Sequence, residues 1–556
     1  MKKTLFYFGL MLVLLLACSE DFTETAAIGA LSDQSLQNEL GVDLLLTSAY
    51  STLDGENSKG GADWHKAGDN WWMDVIADDA HKGSTDGDQA DLFLLETFDW
   101  TSGNPYLAGK WKAIFAGINR ANAVLDLISK IDGGDFSGQA AEAHFLRGHY
   151  NFELQKMFGN VPFISLENFQ ATEFSQPNSG NIWSQIEADF QAAVSGLPSS
   201  QADAGRPTSM AAKAFMAKTM LYQAKYGEAL SLLNEIISSG AYSLLPEFVD
   251  NFKIVGDNSV ESIFSIQFTA DGGQSFNGNR GATLNWLGPF GCCGFYQPSQ
   301  DLVNAYQTEG GLPLLDTYNQ TDVANDYGIN SDEPFTTHAG PLDPRLDYTV
   351  GRRGIEYNGY GVHPGKEWVR SAFADISGPY SAKKHVYQQS EGGNQGTGGW
   401  GQQRSGINYH IMRYADVLLM AAEANVEMGN MGAALDLVNQ VRSRAKSSAT
   451  VKDESGADAA NYSIELYDSF ADQMMARKAV RFERRLEFGM EGHRLFDIRR
   501  WGVGSAVMDA YAANESRTIT SFAGDSRAYE GKHDMFPIPS EAIDLSQGAL
   551  TQNPGF

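Results

Sequence analysis

The chain has 556 residues, 42% of them apolar, 20% charged and 11% aromatic, a balance that supports a large packed core and excludes a disordered or collagen-like polypeptide. With 41 Lys and Arg against 69 Asp and Glu the formal charge is −28, which repels phosphate backbones and argues against nucleic acid as a partner. Three cysteines are too few for a disulfide scaffold.

The start of the chain reads as an address. Lys2 and Lys3 precede an apolar run over 5–16 that is too short to span a bilayer comfortably. It ends in Leu15-Leu16-Ala17-Cys18, which resembles a bacterial lipobox. Residues 1–17 are therefore expected to be cleaved as a lipoprotein signal peptide, with Cys18 lipidated and 18–40 acting as a tether. Several acyl chains on one cysteine give a firm anchor. An ordinary signal peptide with an incidental cysteine is the other reading. Ser19-Glu20-Asp21 looks like the acidic tag that sends some lipoproteins to the outer face of the outer membrane.

Further along, a polar loop around Gly60-Gly61-Ala62-Asp63 carries Trp64, and the neighbours Trp71 and Trp72 follow. On a helix those two rings point about 100° apart, so at most one is expected to face a ligand. Asp78, Asp79 and His81 come next as candidate hydrogen-bonding groups. Asp86-Gly87-Asp88-Gln89-Ala90-Asp91 resembles the opening of a calcium loop, but its Gly and terminal Glu are misplaced, and a solvated acidic loop is the default.

Helical periodicity then dominates. Residues 107–130 and 139–158 read as one helix pair, and 182–196 with the helix around 482–491 as another. Residues 211–239 show Ala214, Ala217, Leu221, Ala229, Leu233 and Ile236 at helical spacing, broken near Tyr226-Gly227. About 205 residues later the pattern returns over 414–444. Its second half, Ala434-Leu435-Asp436-Leu437-Val438-Asn439, echoes Ala229-Leu230-Ser231-Leu232-Leu233-Asn234. Small residues at the crossing with large ones beside them mark tetratricopeptide-like helix pairs, which bury a core only by stacking. The fold is expected to be mainly α, one domain over 41–556, with the scaffold in 41–255 and 407–556. Between them 256–406 is rich in Gly, Pro, Asn and aromatics, with short strands expected at 262–268 and 348–352. A long irregular segment in a compact protein points to a binding surface.

Catalytic motifs are scarce. There is no HExxH and no G-x-S-x-G. Gly396 to Gly401 matches G-x-G-x-x-G but lacks a clear preceding strand and following helix. Glu483, Glu487 and Glu491 recur at helical spacing among Arg481, Arg484, Arg485 and Arg494, so ion pairing rather than glycosidase chemistry is expected. Cys292-Cys293, flanked by Gly291 and Gly294, is open to a strained vicinal disulfide or to two packed thiols.

Separated blocks then fall into one order: Trp111-Lys112-Ala113-Ile114 with Asn119-Arg120-Ala121-Asn122; Glu142-Ala143-His144-Phe145-Leu146-Arg147-Gly148 running to Phe158-Gly159-Asn160-Val161-Pro162; Asp343-Pro344-Arg345; Arg413-Tyr414-Ala415-Asp416; Glu483-Arg484-Arg485-Leu486-Glu487-Phe488 with Glu491-Gly492-His493-Arg494; and Phe536-Pro537-Ile538-Pro539 before the final Asn553-Pro554-Gly555-Phe556. With the lipobox they resemble the SusD/RagB family of outer-membrane nutrient-binding lipoproteins across essentially the whole chain. The resemblance implies a tetratricopeptide-based fold that caps a TonB-dependent, SusC-like transporter and passes it polysaccharide or oligosaccharide, binding without cleaving and needing no cofactor or metal. It places most matched blocks in the scaffold, so the ligand residues must come from physics.

Sugars offer apolar C–H faces to flat rings and hydroxyls to polar groups. Trp286, beside Phe290, Tyr296 and the Cys292-Cys293 pair, is the leading stacking residue. Trp64, Trp71 or Trp72, and Trp400 in its glycine tract follow, with Asp78, Asp79 and His81 as hydrogen-bonding partners. Few basic residues beside many aromatics favour a neutral glucan, such as a β-glucan or a starch-like chain. A peptide-binding family member and a surface glycoside hydrolase are the alternatives.

Overall fold

The computed structural model describes residues 36–55, 63–85, 87–270, 278–279, 288–290, 293–370, 378–397, 403–519 and 528–556. Cys18, Trp286, Cys292 and Trp400 lie outside them. No described helix is long and apolar enough to cross a membrane.

Helices stack in sequence, each against the next: Glu39–Tyr50, Pro105–Ser129, Ser137–Phe158, Trp183–Gly196, Ser209–Tyr222 and Tyr226–Ser239. Local chemistry starts them. Asn104 Oδ1 accepts from Tyr106 N at 3.0 Å with Pro105 at the first turn, and Thr208 Oγ1 accepts from Ala211 N at 3.2 Å. Small residues set how closely they cross. A Cβ on Gly117 would sit 2.6 Å from the Tyr150 ring, and one on Gly148 3.1 Å from Phe190. Of the Tyr226–Ser239 helix only Ala229, Leu233 and Ile236 are buried, one stripe at i, i+4 and i+7.

That helix packs directly on Tyr414–Glu427, which packs on Met431–Ser447 and Gln473–Phe488. The stack thus continues across a gap of about 170 residues in sequence, and the loop-rich stretch leaves and re-enters at one place. It does so through an antiparallel pair, Ser262–Ile266 against Tyr409–Arg413. The expected strand at 262–268 is present. At 348–352 only Val350–Gly351 is extended, because Leu346–Thr349 forms a helical turn in which Thr349 Oγ1 donates back to Arg345 O at 2.9 Å. Residues Gln395–Thr397 and Gln403–Ser405 pair antiparallel, so Gly396 lies in a hairpin rather than at a strand-to-helix turn.

The matched blocks hold the scaffold. Arg147 donates to Asp189 Oδ2 at 2.9 Å and to Asn122 Oδ1 at 2.7 Å, joining three helices. Asn553 Nδ2 donates to Phe158 O and Phe536 O at 2.6 and 2.8 Å, clasping the C-terminus to the helix end. The Glu and Arg residues form a buried ionic layer. Arg413 pairs with Glu261, Glu487 and Glu491, and Arg345 with Asp343, Glu483 and Glu487. Burial pushes the Glu491 carboxyl up, but Arg413 and Lys384 outweigh it and hold it at about 2; Arg444, Arg413 and Arg345 likewise hold Glu487 well below the ordinary range. These carboxylates are locked in the ionised form, the wrong state for a general acid.

Candidate functional site: an aromatic ridge on the inserted loops

Several of the expected ligand residues turn out to be foundations. Trp71 and Trp72 lie in the short helix Trp71–Ile76 and are 2% and 0% exposed. Their Nε1 atoms donate at 3.0 Å to the carbonyls of Trp64 and His65. Asp78 is held by a two-pronged Arg494 at 2.7 and 2.8 Å, and Arg485 bridges Asp78, Asp79 and Asp301. His81 is fully buried between Glu96 and Glu515, at 3.1 and 2.9 Å. Burial alone would lower its pKa; the two carboxylates raise it to about 9, so the ring is an imidazolium. Tyr296 is 2% exposed, donates to Asp74 Oδ2 at 2.6 Å and packs edge-on to Trp71 at 5.7 Å. Its φ of +55° is costly for an aromatic residue and is held by that burial. Rings with no exposed face cannot stack on a sugar, so the ligand roles expected for Trp71, Trp72, Asp78, Asp79, His81 and Tyr296 are corrected to positioning roles. Together they clamp the antiparallel pair Ala80–Gly83 and Phe295–Pro298.

From that clamped pair two loops emerge. After Gly83, residues 84–85 and 87–89 lie against the buried Lys82, whose ammonium donates to Thr85 O and Asp88 O at 2.5 and 2.8 Å. A cationic group of the chain itself thus faces the carbonyls of the calcium-like loop. Among the described residues no cluster of three or more His, Cys, Asp or Glu is placed to hold a metal. On the other side, Cys293 precedes the strand and is disulfide-bonded; the remaining cysteines, Cys18 and Cys292, are outside the described residues.

Arg370 gathers these loop bases. Its Nη1 donates to Ser84 Oγ at 2.5 Å, Asp88 Oδ2 at 3.0 Å and Cys293 O at 3.2 Å, while its side chain and that of Asp88 stay 37% exposed. Next to Asp88, Gln89 Oε1 accepts from Trp64 Nε1 at 3.1 Å and Tyr106 OH at 2.8 Å, which fixes the half-buried Trp64 ring beside the pair.

Two residues before Arg370 stands Trp368. A Cβ on Gly288 would lie 2.9 Å from its ring, so the loop bearing Phe290 presses on Trp368. Phe290 meets Tyr360 at 4.9 Å and Tyr387 at 5.8 Å, both edge-on. Trp368 in turn packs on Tyr357 and His363 at 5.6 and 5.4 Å. Tyr357, Val386, Tyr387 and Ile407 form a small core separate from the main one, and Phe290, Tyr360 and Trp368 cover it half-buried. The result is a ridge: Trp64, then the Arg370–Asp88 pair, then Trp368, Phe290 and Tyr360.

Phe290 and Trp64 were expected from sequence; Trp368, Tyr360 and Arg370 were not. Tyr360 had a readable signal, since it lies in Tyr357-Asn358-Gly359-Tyr360-Gly361. There Asn358, Gly359 and Gly361 all take positive φ, and Asn358 Nδ2 ties the turn to Lys383 O and Val386 O. Trp368 and Arg370 carry no such signal, because their role depends on which distant loops they meet.

Known proteins share this fold. A family model described as "SusD family" matches residues 260–556, and one described as "Starch-binding associating with outer membrane" matches 31–221. SusD-like protein P2 from Formosa agariphila is 22% identical over 487 residues, covering 83% of each chain. Among solved structures, a SusD superfamily protein from Bacteroides vulgatus superposes with a TM-score of 0.70 at 22% identity, covering 93% of this chain and 99% of that one. Surface glycan-binding protein A from Bacteroides thetaiotaomicron, in complex with laminarihexaose, gives 0.64 at 21% identity, covering 93% and 99%. The chain belongs to the SusD family.

Proposed function

We propose that this protein is a non-catalytic glycan-capture lipoprotein. Anchored by lipid at Cys18 on the outer face of the outer membrane, it binds a neutral polysaccharide or oligosaccharide and delivers it to a TonB-dependent, SusC-like transporter. The observation that carries the reading is the ridge: half-buried rings standing on their own small core, beside an Arg–Asp pair with exposed polar edges. Rings set this way present flat faces to sugar C–H groups, and the charged pair satisfies hydroxyls. A buried Trp or Tyr would serve the fold alone.

The net charge of −28 disfavours a sulfated or uronate-rich polymer, and a β-glucan is the ligand proposed first. A structural neighbour complexed with laminarihexaose supports that choice. Trp286 and Trp400, further stacking candidates from the sequence, lie outside the described residues, and a Cys292–Cys293 bond would stiffen the loop that carries Phe290. The test is Trp368→Ala titrated calorimetrically with laminarin beside the parent chain. Loss of at least about tenfold in affinity, with the thermal midpoint little changed, is expected from removing one stacking ring. Undiminished affinity would sink the ridge as the site, and release of reducing sugar would overturn the non-catalytic reading.

A further inference from the structure

Large cavities among the described residues also lie away from the ridge. Two of them, of about 280 and 300 Å3, adjoin at Gly205 and Ser265, which line both, as the two halves of a divided cleft. Its floor is the strand Ser262–Ile266; its sides are the segment 199–208, Tyr242 and the end of the helix Glu39–Tyr50. We infer that this cleft is a second binding site for neutral saccharide, separate from the ridge. The inference rests on reading the chain as a glycan binder.

The lining has the parts such a ligand needs, already held in place. Tyr50 lines one half and Tyr242 the other, each as a half-buried ring. The Tyr242 ring stacks on Tyr414 at 6.4 Å and its hydroxyl lies 3.1 Å from Thr208 Oγ1. The Arg206 guanidinium sits over the Tyr50 ring at 5.1 Å and donates to Glu142 at 2.8 Å, with a quarter of its side chain still exposed. Ser259 Oγ, in the cleft wall, is buried with no hydrogen-bond partner among the described residues.

Shape and charge choose the ligand class. Gly205 has φ +81°, and a Cβ there would meet Gln267 Cγ at 2.5 Å, so glycine lets this segment lean on Gln267 where the two halves of the cleft join. Gln267 and Asn258 pair amide to amide at 2.8 and 3.1 Å, and Gln267 Nε2 also donates to Ser265 O at 3.2 Å. That side chain covers a strand acceptor which an added peptide strand would need, so the wall favours a saccharide over an extended peptide. Asp54, Asp203 and Arg206 are the charged residues lining it, leaving little net charge to select an ionic ligand.

The test is hydrogen-exchange mass spectrometry on the full chain with laminarihexaose, cellohexaose and maltohexaose in turn. Protection of 199–208 and 258–267 in addition to 357–370 is the expected result. Tyr242→Ala should remove the first protection and leave the second, while Trp368→Ala should do the reverse. If Tyr242→Ala fails to fold, Asn258→Gly removes the rim amide while keeping a residue that tolerates its φ of +52°. With two sites on one polymer, Tyr242→Ala is also expected to weaken binding of laminarin about tenfold. Protection of 357–370 alone overturns the cleft and leaves the ridge; protection of the cleft alone overturns the ridge as the site. Protection of neither by any of the three hexasaccharides overturns both.

Discussion

The helical stack and the inserted stretch are built from the same residue types put to opposite uses. In the stack, aromatic and charged side chains disappear inside. Trp111 is 7% exposed, and Arg413 meets three glutamates where no water reaches. In the insertion a second, small core carries Phe290, Tyr360 and Trp368 half-buried rather than enclosed. The lesson is that residue type alone does not mark a binding site. What marks it is whether a ring is backed by the main core or by a pedestal of its own. Between the two regions lies the clamp, in which buried Ala80–Gly83 of the scaffold stretch pairs with buried Phe295–Pro298 of the insertion.

That division breaks most sharply under substitution in the ionic layer. Arg413→Met strips one cationic partner from each of Glu261, Glu487 and Glu491, leaving Arg444, Arg345 and Lys384 to neutralise all three, and breaking a buried ion pair costs about 3–5 kcal/mol. The urea midpoint should fall accordingly while the protein that remains folded keeps its affinity for laminarin. A loss of affinity without a loss of stability would mean that scaffold and site are not separate. The contrast with Trp368→Ala, which should move affinity and spare the midpoint, sharpens the same boundary from the other side.

The clamp gives a smaller effect with a pH signature. Glu515 and Glu96 raise His81 from 6.5 to about 9 in the folded state against the pull of burial. A raised folded pKa means its stabilisation is fully present below pH 6.5 and is lost as the pH rises through about 9. The thermal midpoint of the parent should therefore decline across that window more than that of His81→Gln. Parallel curves would show that the imidazolium contributes nothing. Smallest of all is Trp64→Phe, which keeps a ring but removes the donor to Gln89 Oε1. It should cost no more than about 1 kcal/mol of stability, and calorimetry should find laminarin affinity within about threefold of the parent. A larger loss would place Trp64 rather than Trp368 at the centre of the ridge.

Much of the scaffold is legible without coordinates. Ala229, Leu233 and Ile236 occur at helical spacing because one face of that helix is dry, and their echo over 434–441 follows from stacking the same unit again. Glu483, Glu487 and Glu491 interleaved with arginines foretell ion pairs, since carboxylates of such a helix leave water only when neutralised. The site is legible in part. Phe290 is a candidate from the loop-rich segment and Trp64 from its polar loop, and both are half-buried, but the candidates Trp71, Asp78, His81 and Tyr296 are buried. Nothing in a window of ten residues says that Asp78 will meet Arg485 and Arg494 across more than 400 positions.

Sequence by itself determined the properties that short-range chemistry carries: a signal-like start, helix pairs that repeat at about 205 residues, a loop-rich insertion and an acidic surface. Tertiary structure alone decided which rings are exposed. Exposure depends on what packs behind a side chain, and here that is set by contacts such as Gly288 on Trp368 and Arg370 on Asp88 and Cys293, between segments that are distant in the chain.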